Sequence, residues 1–200
     1  MHITRRLLSA LALSLLLAGS SVVPAAAGSS QATAVANVDL SSIDIDNFGR
    51  VNERYYRGAQ PDAADWADLK ALGIRMVIDL QEDGDPGERG LVEKAGMSFH
   101  RIAMTTHQPP TAATLATFLA LVNDPANQPV YVHCAGGRHR TGVMTAAYRI
   151  TTEGWTADKA FKEMKQFKFG ADFLHPEFKQ FVYAYQPQAP PAPAVRAAGQ

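Results

Sequence analysis

Apolar positions along the chain fall into two kinds of segment, short β-branched runs and longer stretches with helical spacing, and the two kinds alternate. Arg54 to Gly58 is a short β-prone segment. Pro61 suits the first turn of a helix, and Trp66, Leu69 and Leu72 follow at near-helical spacing until Gly73 stops it. The run from Ile74 to Leu80 reads as a buried strand. The polar loop after it, Gln81 to Gly87, carries Glu82, Asp83 and Asp85. A short helix over 88–95 closes at Gly96 and leads to a strand over 98–103. Thr105 to Pro110 is a loop. Thr111 then caps a helix whose Leu115, Phe118, Leu119 and Val122 share one face. Pro125 and Pro129 bracket a turn into the strand Val130–His133. A helix over 140–152 follows, then Gly154, a helix capped by Thr156, and a last helix from Pro176 to Tyr185.

Strands alternating with helices predict an α/β domain, a mostly parallel sheet of about four to five strands flanked by helices. Ligands of such sheets bind beyond the carboxyl ends of the strands. Order is expected over 47–185, with a flexible Ala/Ser/Gln/Asn-rich lead-in at 28–46 and a disordered Pro/Ala-rich tail at 186–200. At the start, Arg5-Arg6 precede the apolar stretch Leu7–Gly19, and Ala25-Ala26-Ala27 offers a small-residue cleavage site. Residues 1–27 therefore read as a signal peptide, too short to span a bilayer, and the product is expected in the periplasm or secreted, with no stable membrane insertion.

Composition changes this picture little. With 46% hydrophobic and 19% charged residues the chain suits one globular domain, and a net charge of zero without a basic stripe argues against nucleic acid as a partner. The cysteine count matters more. Cys134 is the only cysteine, so no disulfide forms within the chain, and an exported lone thiol calls for a chemical reason.

That reason lies in the sequence around it. Val130 to His133 ends in Cys134, a turn with Gly136 and Gly137 follows, and a helix begins at Arg140. A helix N-terminus and nearby cations favour the thiolate, the reactive form of cysteine. Successive backbone N–H groups of Ala135, Gly136, Gly137, Arg138 and His139 can form an anion nest, and Arg140 can grip two phosphate oxygens in fork geometry. Thr141 places a hydroxyl near the sulfur, and His133 is expected to orient the loop. The chemistry these parts support is two-step phosphoryl transfer, with Cys134 as nucleophile and a cysteinyl phosphate as intermediate. It requires neither metal nor cofactor.

The run His133-Cys134-x-x-Gly137-x-x-Arg140-Thr141-Gly142 resembles the signature of the cysteine-dependent protein tyrosine phosphatases, at the dual-specificity end. Phe48-Gly49-x-Val51, Tyr56-Arg57-Gly58-Ala59-Gln60-Pro61, Leu72-Gly73-Ile74 and Val77-Ile78-Asp79-Leu80 are similar to a compact atypical branch found in plants, fungi and bacteria. The resemblance covers about residues 48–183. It implies a dual-specificity phosphatase-like fold and, as substrate, a phosphorylated protein or a small phosphate ester; some members of that branch act on inositol phosphates. The chain departs from the family pattern at one point. The general acid is usually an aspartate in the loop before the long helix, here Thr105-Thr106-His107-Gln108-Pro109-Pro110, which has no carboxylate. Asp83, Asp85, His107 and His139 are the alternatives, and Asp85 is favoured over His107.

Other readings bound this one. His133, Cys134 and His139 lack the distant partners of a zinc site. His100, His107 and His175 read as surface or core residues. Arg138 and His139 fit either a solvated loop edge or a preference for substrates with several phosphates. A phospho-ligand binding module without turnover, and a rhodanese-type sulfurtransferase, are the competing functions. Oligomeric state is not legible.

Overall fold

The computed structural model describes residues 40–187. The expected signal peptide, most of the lead-in and all but the start of the tail lie outside the described residues. Among those residues a five-stranded sheet is flanked by six α-helices. The strands are β1 (Gly49–Asn52), β2 (Tyr55–Gly58), β3 (Met76–Asp79), β4 (Ser98–Arg101) and β5 (Val130–His133), in the spatial order β1-β2-β5-β3-β4. β1 pairs antiparallel with β2, and every other pairing is parallel. The predicted mostly parallel sheet is present. The antiparallel β1 was not anticipated, because Val51 is its one strongly apolar residue.

The helices are α1 (Asp65–Ala71), α2 (Glu88–Lys94), α3 (Ala112–Asn123), α4 (Arg140–Glu153), α5 (Ala157–Gln166) and α6 (Pro176–Ala184). Pro61 does not open α1, which begins four residues later at Asp65 with Ala64 as its cap; the later signals act as read. The Thr111 and Thr156 hydroxyls accept from the N–H groups of Thr114 and Lys159, and Pro176 opens α6. Gly154 ends α4 in the left-handed region with φ +68°.

Side-chain alternation along the strands separates two core layers. Tyr55, Met76, Ile78, Val130 and Val132 face the layer closed by α3, α4, α5 and α6 through residues such as Phe118, Met144, Met164 and Phe178. Tyr56, Val77 and Tyr131 face the thinner layer under α1 and α2, with Trp66, Leu69 and Val92. Fully burying side chains of this size stabilises the fold by roughly 1.5–3 kcal/mol each, before chain entropy is counted.

Order begins earlier than the composition suggests. Leu40–Ser42 form a 3₁₀ turn, and Ile43 and Ile45 are buried in the thinner layer. The alternation Ile43-Asp44-Ile45-Asp46 explains this, since it puts two apolar side chains on one face of an extended segment. Residues 40–46, expected within the flexible lead-in, are thus packed as part of the domain.

Candidate active site

Chain geometry brings β5 to the centre of the sheet, so Cys134 emerges between β2 and β3 at their carboxyl ends. Cys134 is buried, and the turn 135–139 links it to the start of α4. The orientation of that turn is set from outside it. The Ala135 carbonyl accepts from the Gln60 N–H at 3.3 Å. The Gly137 carbonyl accepts from Arg57 at 2.6 Å and from Asn47 Nδ2 at 2.8 Å, and Asn47 also reaches the carbonyl of Phe167 at 3.0 Å. With these carbonyls turned toward the scaffold, the N–H groups of residues 135–139 make no hydrogen bond among the described residues. A ring of N–H donors at a helix N-terminus is an anion nest.

Two residues of the turn's surroundings explain its shape. Gly137 has φ +63°, and a Cβ there would overlap the Gly58 carbonyl, so both backbone and space require glycine. Arg57 is fully buried beneath it, with its guanidinium 4.0 Å from the centroid of the Phe167 ring; burial lowers its proton affinity, opposed by nearby groups including Glu163 and Cys134. The sequence gives Arg57 a place in a β-prone segment and in a family resemblance, but no role. No local pattern announces it, because its partner lies 80 positions away.

Arg140 is held differently. Its Nη1 donates to the Met104 carbonyl at 3.1 Å and to Asp83 Oδ1 at 3.2 Å. The Asp83 side chain is 82% exposed. The hydrogen bond from Arg140 holds the Asp83 carboxyl below the usual carboxylate range. This aspartate, and not Asp85, is the carboxylate at Arg140. Asp85 Oδ1 instead accepts from the Gly87 N–H at 2.8 Å, closing its own Asp-Pro-Gly turn, and the Asp85 carbonyl accepts from Arg101. Of the two aspartates, the structure thus brings Asp83 to Arg140 and turns the favoured Asp85 into its own loop.

The other acid alternatives sit elsewhere on the rim. His107 is 75% exposed, with its ring stacked against His175 at 5.4 Å between centroids. His139 Nε2 is 3.0 Å from the Phe169 carbonyl, and burial first, then His175, pushes its imidazole below its ordinary value. A ring that resists protonation is poorly suited to donate a proton at neutral pH. Arg138 reaches Asp46 at 3.4 Å on the surface, as a solvated loop edge would. The Thr141 hydroxyl is fully buried and has no hydrogen-bond partner among the described residues.

His133, expected to orient the loop, lies in a buried cluster of charged side chains, where neither ring nitrogen makes an aligned hydrogen bond. Its Nε2 is 2.7 Å from Glu88 Oε1, a close contact without hydrogen-bond alignment, and its ring stacks on Tyr131. Arg101 bonds Asp79 at 2.6 Å and Glu88 at 3.2 Å. Burial works to raise the Glu88 carboxyl, but His133, Gln60 and Arg101 hold it lower. Histidine with two carboxylates is metal-type donor chemistry, yet Arg101 already pairs with both acids. The cluster ties β3, β4 and α2 to the residue before the nucleophile.

Beside the loop a cleft of about 440 Å³ is lined by Gln60, Trp66, Gln81, Asp83, Asp85 and Ala135, among others. A larger apolar groove of about 810 Å³ runs between α3, the end of α4 and α6, and none of the loop residues lines it.

Known proteins share this arrangement. The family model described as DSP-PTPase phosphatase fused to NAD+ kinase matches residues 30–178. OCA1 from Mycosarcoma maydis, whose name places it among tyrosine-protein phosphatases, is 30% identical over 132 residues, 64% of this chain and 83% of that protein. The crystal structure of TpbA from Pseudomonas aeruginosa, a dual specificity protein phosphatase, superposes with a TM-score of 0.62 at 27% identity, over 74% of this chain and 88% of that one. The catalytic domain of the Saccharomyces cerevisiae inositol diphosphatase SIW14 gives a TM-score of 0.62 at 26% identity, over 71% and 87%. These matches leave the sulfurtransferase reading without support.

Proposed function

This chain belongs to the atypical dual-specificity branch of the cysteine-dependent protein tyrosine phosphatases, and on that premise we propose that it hydrolyses phosphate monoesters through a cysteinyl phosphate on Cys134. The observation that carries the reading is the binding of the turn's carbonyls by Gln60, Asn47 and Arg57, which leaves the N–H groups of 135–139, between Cys134 and Arg140, without a partner among the described residues and available to an anion. The Cys134 thiolate attacks phosphorus while these N–H groups and Arg140 hold the equatorial oxygens. The ester oxygen leaves with a proton. Water then attacks the cysteinyl phosphate, and the thiolate departs as phosphate forms.

Asp83 is the proton donor in this scheme. When phosphate engages Arg140, the hydrogen bond that depresses the Asp83 carboxyl is given up, and the acid's proton affinity rises as the leaving group arrives. In the second step the carboxylate takes the proton from the attacking water. The cleft contributes Asp62, Asp83 and Asp85, so its charge favours a singly phosphorylated aryl ester over a polyphosphorylated inositol.

Hydrolysis of an aryl phosphate, abolished in Cys134→Ser, tests the reaction. Binding of the phosphate ester by wild type without product release would favour the binding-module reading instead. Ranking phosphotyrosine peptides against inositol polyphosphates by kcat/KM tests the substrate class, and a higher value for the polyphosphates overturns it. Export rests on the sequence of residues 1–27. A periplasmic or secreted product starting at Gly28 supports it; a cytoplasmic product retaining Met1 contradicts it.

A further inference from the structure

Three histidines converge on one side of the catalytic loop, each from a different element. His107 comes from the β4–α3 loop, His139 from the turn before α4, and His175 from the residue before α6. The His139 and His175 rings are 3.8 Å apart between centroids, and those of His107 and His175 are 5.4 Å apart. Glu177, in the first turn of α6, faces two of them. Its Oε1 is 3.3 Å from Nδ1 of His175 and 3.8 Å from Nδ1 of His107.

We propose that His107, His175 and Glu177 form a binding site for a divalent first-row transition metal ion of the zinc type, beside the catalytic loop.

The geometry fits this ion class. One donor atom from each of the three residues lies within 4.8 Å of the others. Bonds of about 2.0–2.1 Å in a tetrahedral shell put neighbouring donors about 3.3 Å apart, so the donors need to move only slightly. Two imidazoles and a carboxylate suit zinc, nickel or copper better than calcium or magnesium, which take oxygen shells. Neutral imidazole is the ligating form. The buried His133 cluster is the instructive contrast: there Arg101 supplies the positive charge, whereas among the described residues Glu177 has only the two imidazoles within ion-pairing distance. The positive end of α6 opposes a cation, and the Glu177 carboxylate offsets that field.

An ion here ties the β4–α3 loop to α6 at the rim of the phosphate site. Occupancy is therefore expected to slow turnover without touching Cys134. The site does not depend on the phosphatase reading, and its test is independent of turnover.

The test is calorimetric titration of Zn²⁺ into tag-free Cys134→Ser protein, where the reactive thiol is not available as a ligand. The expected result is one saturable ion per chain. Adding His107→Ala or Glu177→Gln to that background is expected to weaken binding at least tenfold, with circular dichroism unchanged because His107 is exposed. Co²⁺ in place of Zn²⁺ is expected to show the visible absorption of a four-coordinate site, lost in the same variants. No saturable binding to Cys134→Ser, or equal affinity in the double variants, would overturn the proposal.

Discussion

Two buried arginines serve the catalytic loop, and they are held in opposite ways. Arg57 lies under the loop, fully buried, with a 2.6 Å hydrogen bond to the Gly137 carbonyl and the Phe167 ring against its guanidinium. Arg140 lies at the mouth, where one of its partners is an exposed aspartate on a loop. The first is a fixed strut that turns a carbonyl away from the anion. The second is held by a carboxylate that a phosphate can replace. The floor of the site is thus built for shape and its rim for exchange.

Replacing the exchangeable arginine is the strongest way to probe this contrast. Arg140→Ala is expected to lower kcat/KM for an aryl phosphate by about 10³-fold or more, since it removes the charge that follows the transferring phosphoryl group. A loss below tenfold would mean that Arg140 does not contact substrate.

Asp83→Asn separates the two roles of the rim carboxylate. Turnover of an alkyl phosphate is expected to fall about 10²-fold, with a smaller loss for a nitrophenyl ester, whose leaving group needs less protonation. Sulfate, which does not titrate in this range, is expected to bind the variant more tightly, because no carboxylate competes for Arg140. The pH dependence has a definite sign. In the free protein Asp83 lies below its ordinary value of 3.8, so its bond to Arg140 is complete above that value and lost as pH falls through the lower one. Sulfate binding releases Asp83 and raises its proton affinity, so the advantage of the variant is expected to narrow as pH falls from 6 toward 4. A constant advantage across that range would contradict the competition.

The strut is expected to matter less for rate. Arg57→Lys keeps a charge but loses the planar contact with Phe167, and a decrease of about tenfold in kcat with a stability loss of about 1–3 kcal/mol is expected by chemical denaturation. An unchanged rate and stability would remove Arg57 from the account of the loop. The smallest effect belongs to Asp85→Asn, which leaves the acceptor for Gly87 in place. Activity is expected to stay within about twofold. A loss comparable to that of Asp83→Asn would reverse the assignment of the acid.

The same contrast explains what could be read from the sequence. Cys134, Gly137 and Arg140 are contiguous enough for spacing alone to define the loop, and the strand-helix alternation placed it at the end of a central strand. The struts were not legible. Arg57 and Asn47 act on Gly137 across 80 and 90 positions, so nothing local marks them. The choice between Asp83 and Asp85 was partly available. Asp-Pro-Gly is turn chemistry, in which the aspartate side chain bonds the N–H two residues on, and Asp85 does so. Ile43 and Ile45 were hidden by the composition of the segment around them. The pairing of His107 with Glu177 across the fold needed coordinates, since 70 residues separate them.

The central claim is that Cys134 carries the phosphoryl group. Rapid-mixing kinetics with p-nitrophenyl phosphate, followed by acid quench and mass spectrometry of the cysteine peptide, test it most directly. The expected result is a burst of nitrophenol approaching one per chain, with phosphate trapped on Cys134 and both signals absent in Cys134→Ser. Steady turnover in Cys134→Ser, or product formation with no phosphate on the cysteine peptide, would contradict it.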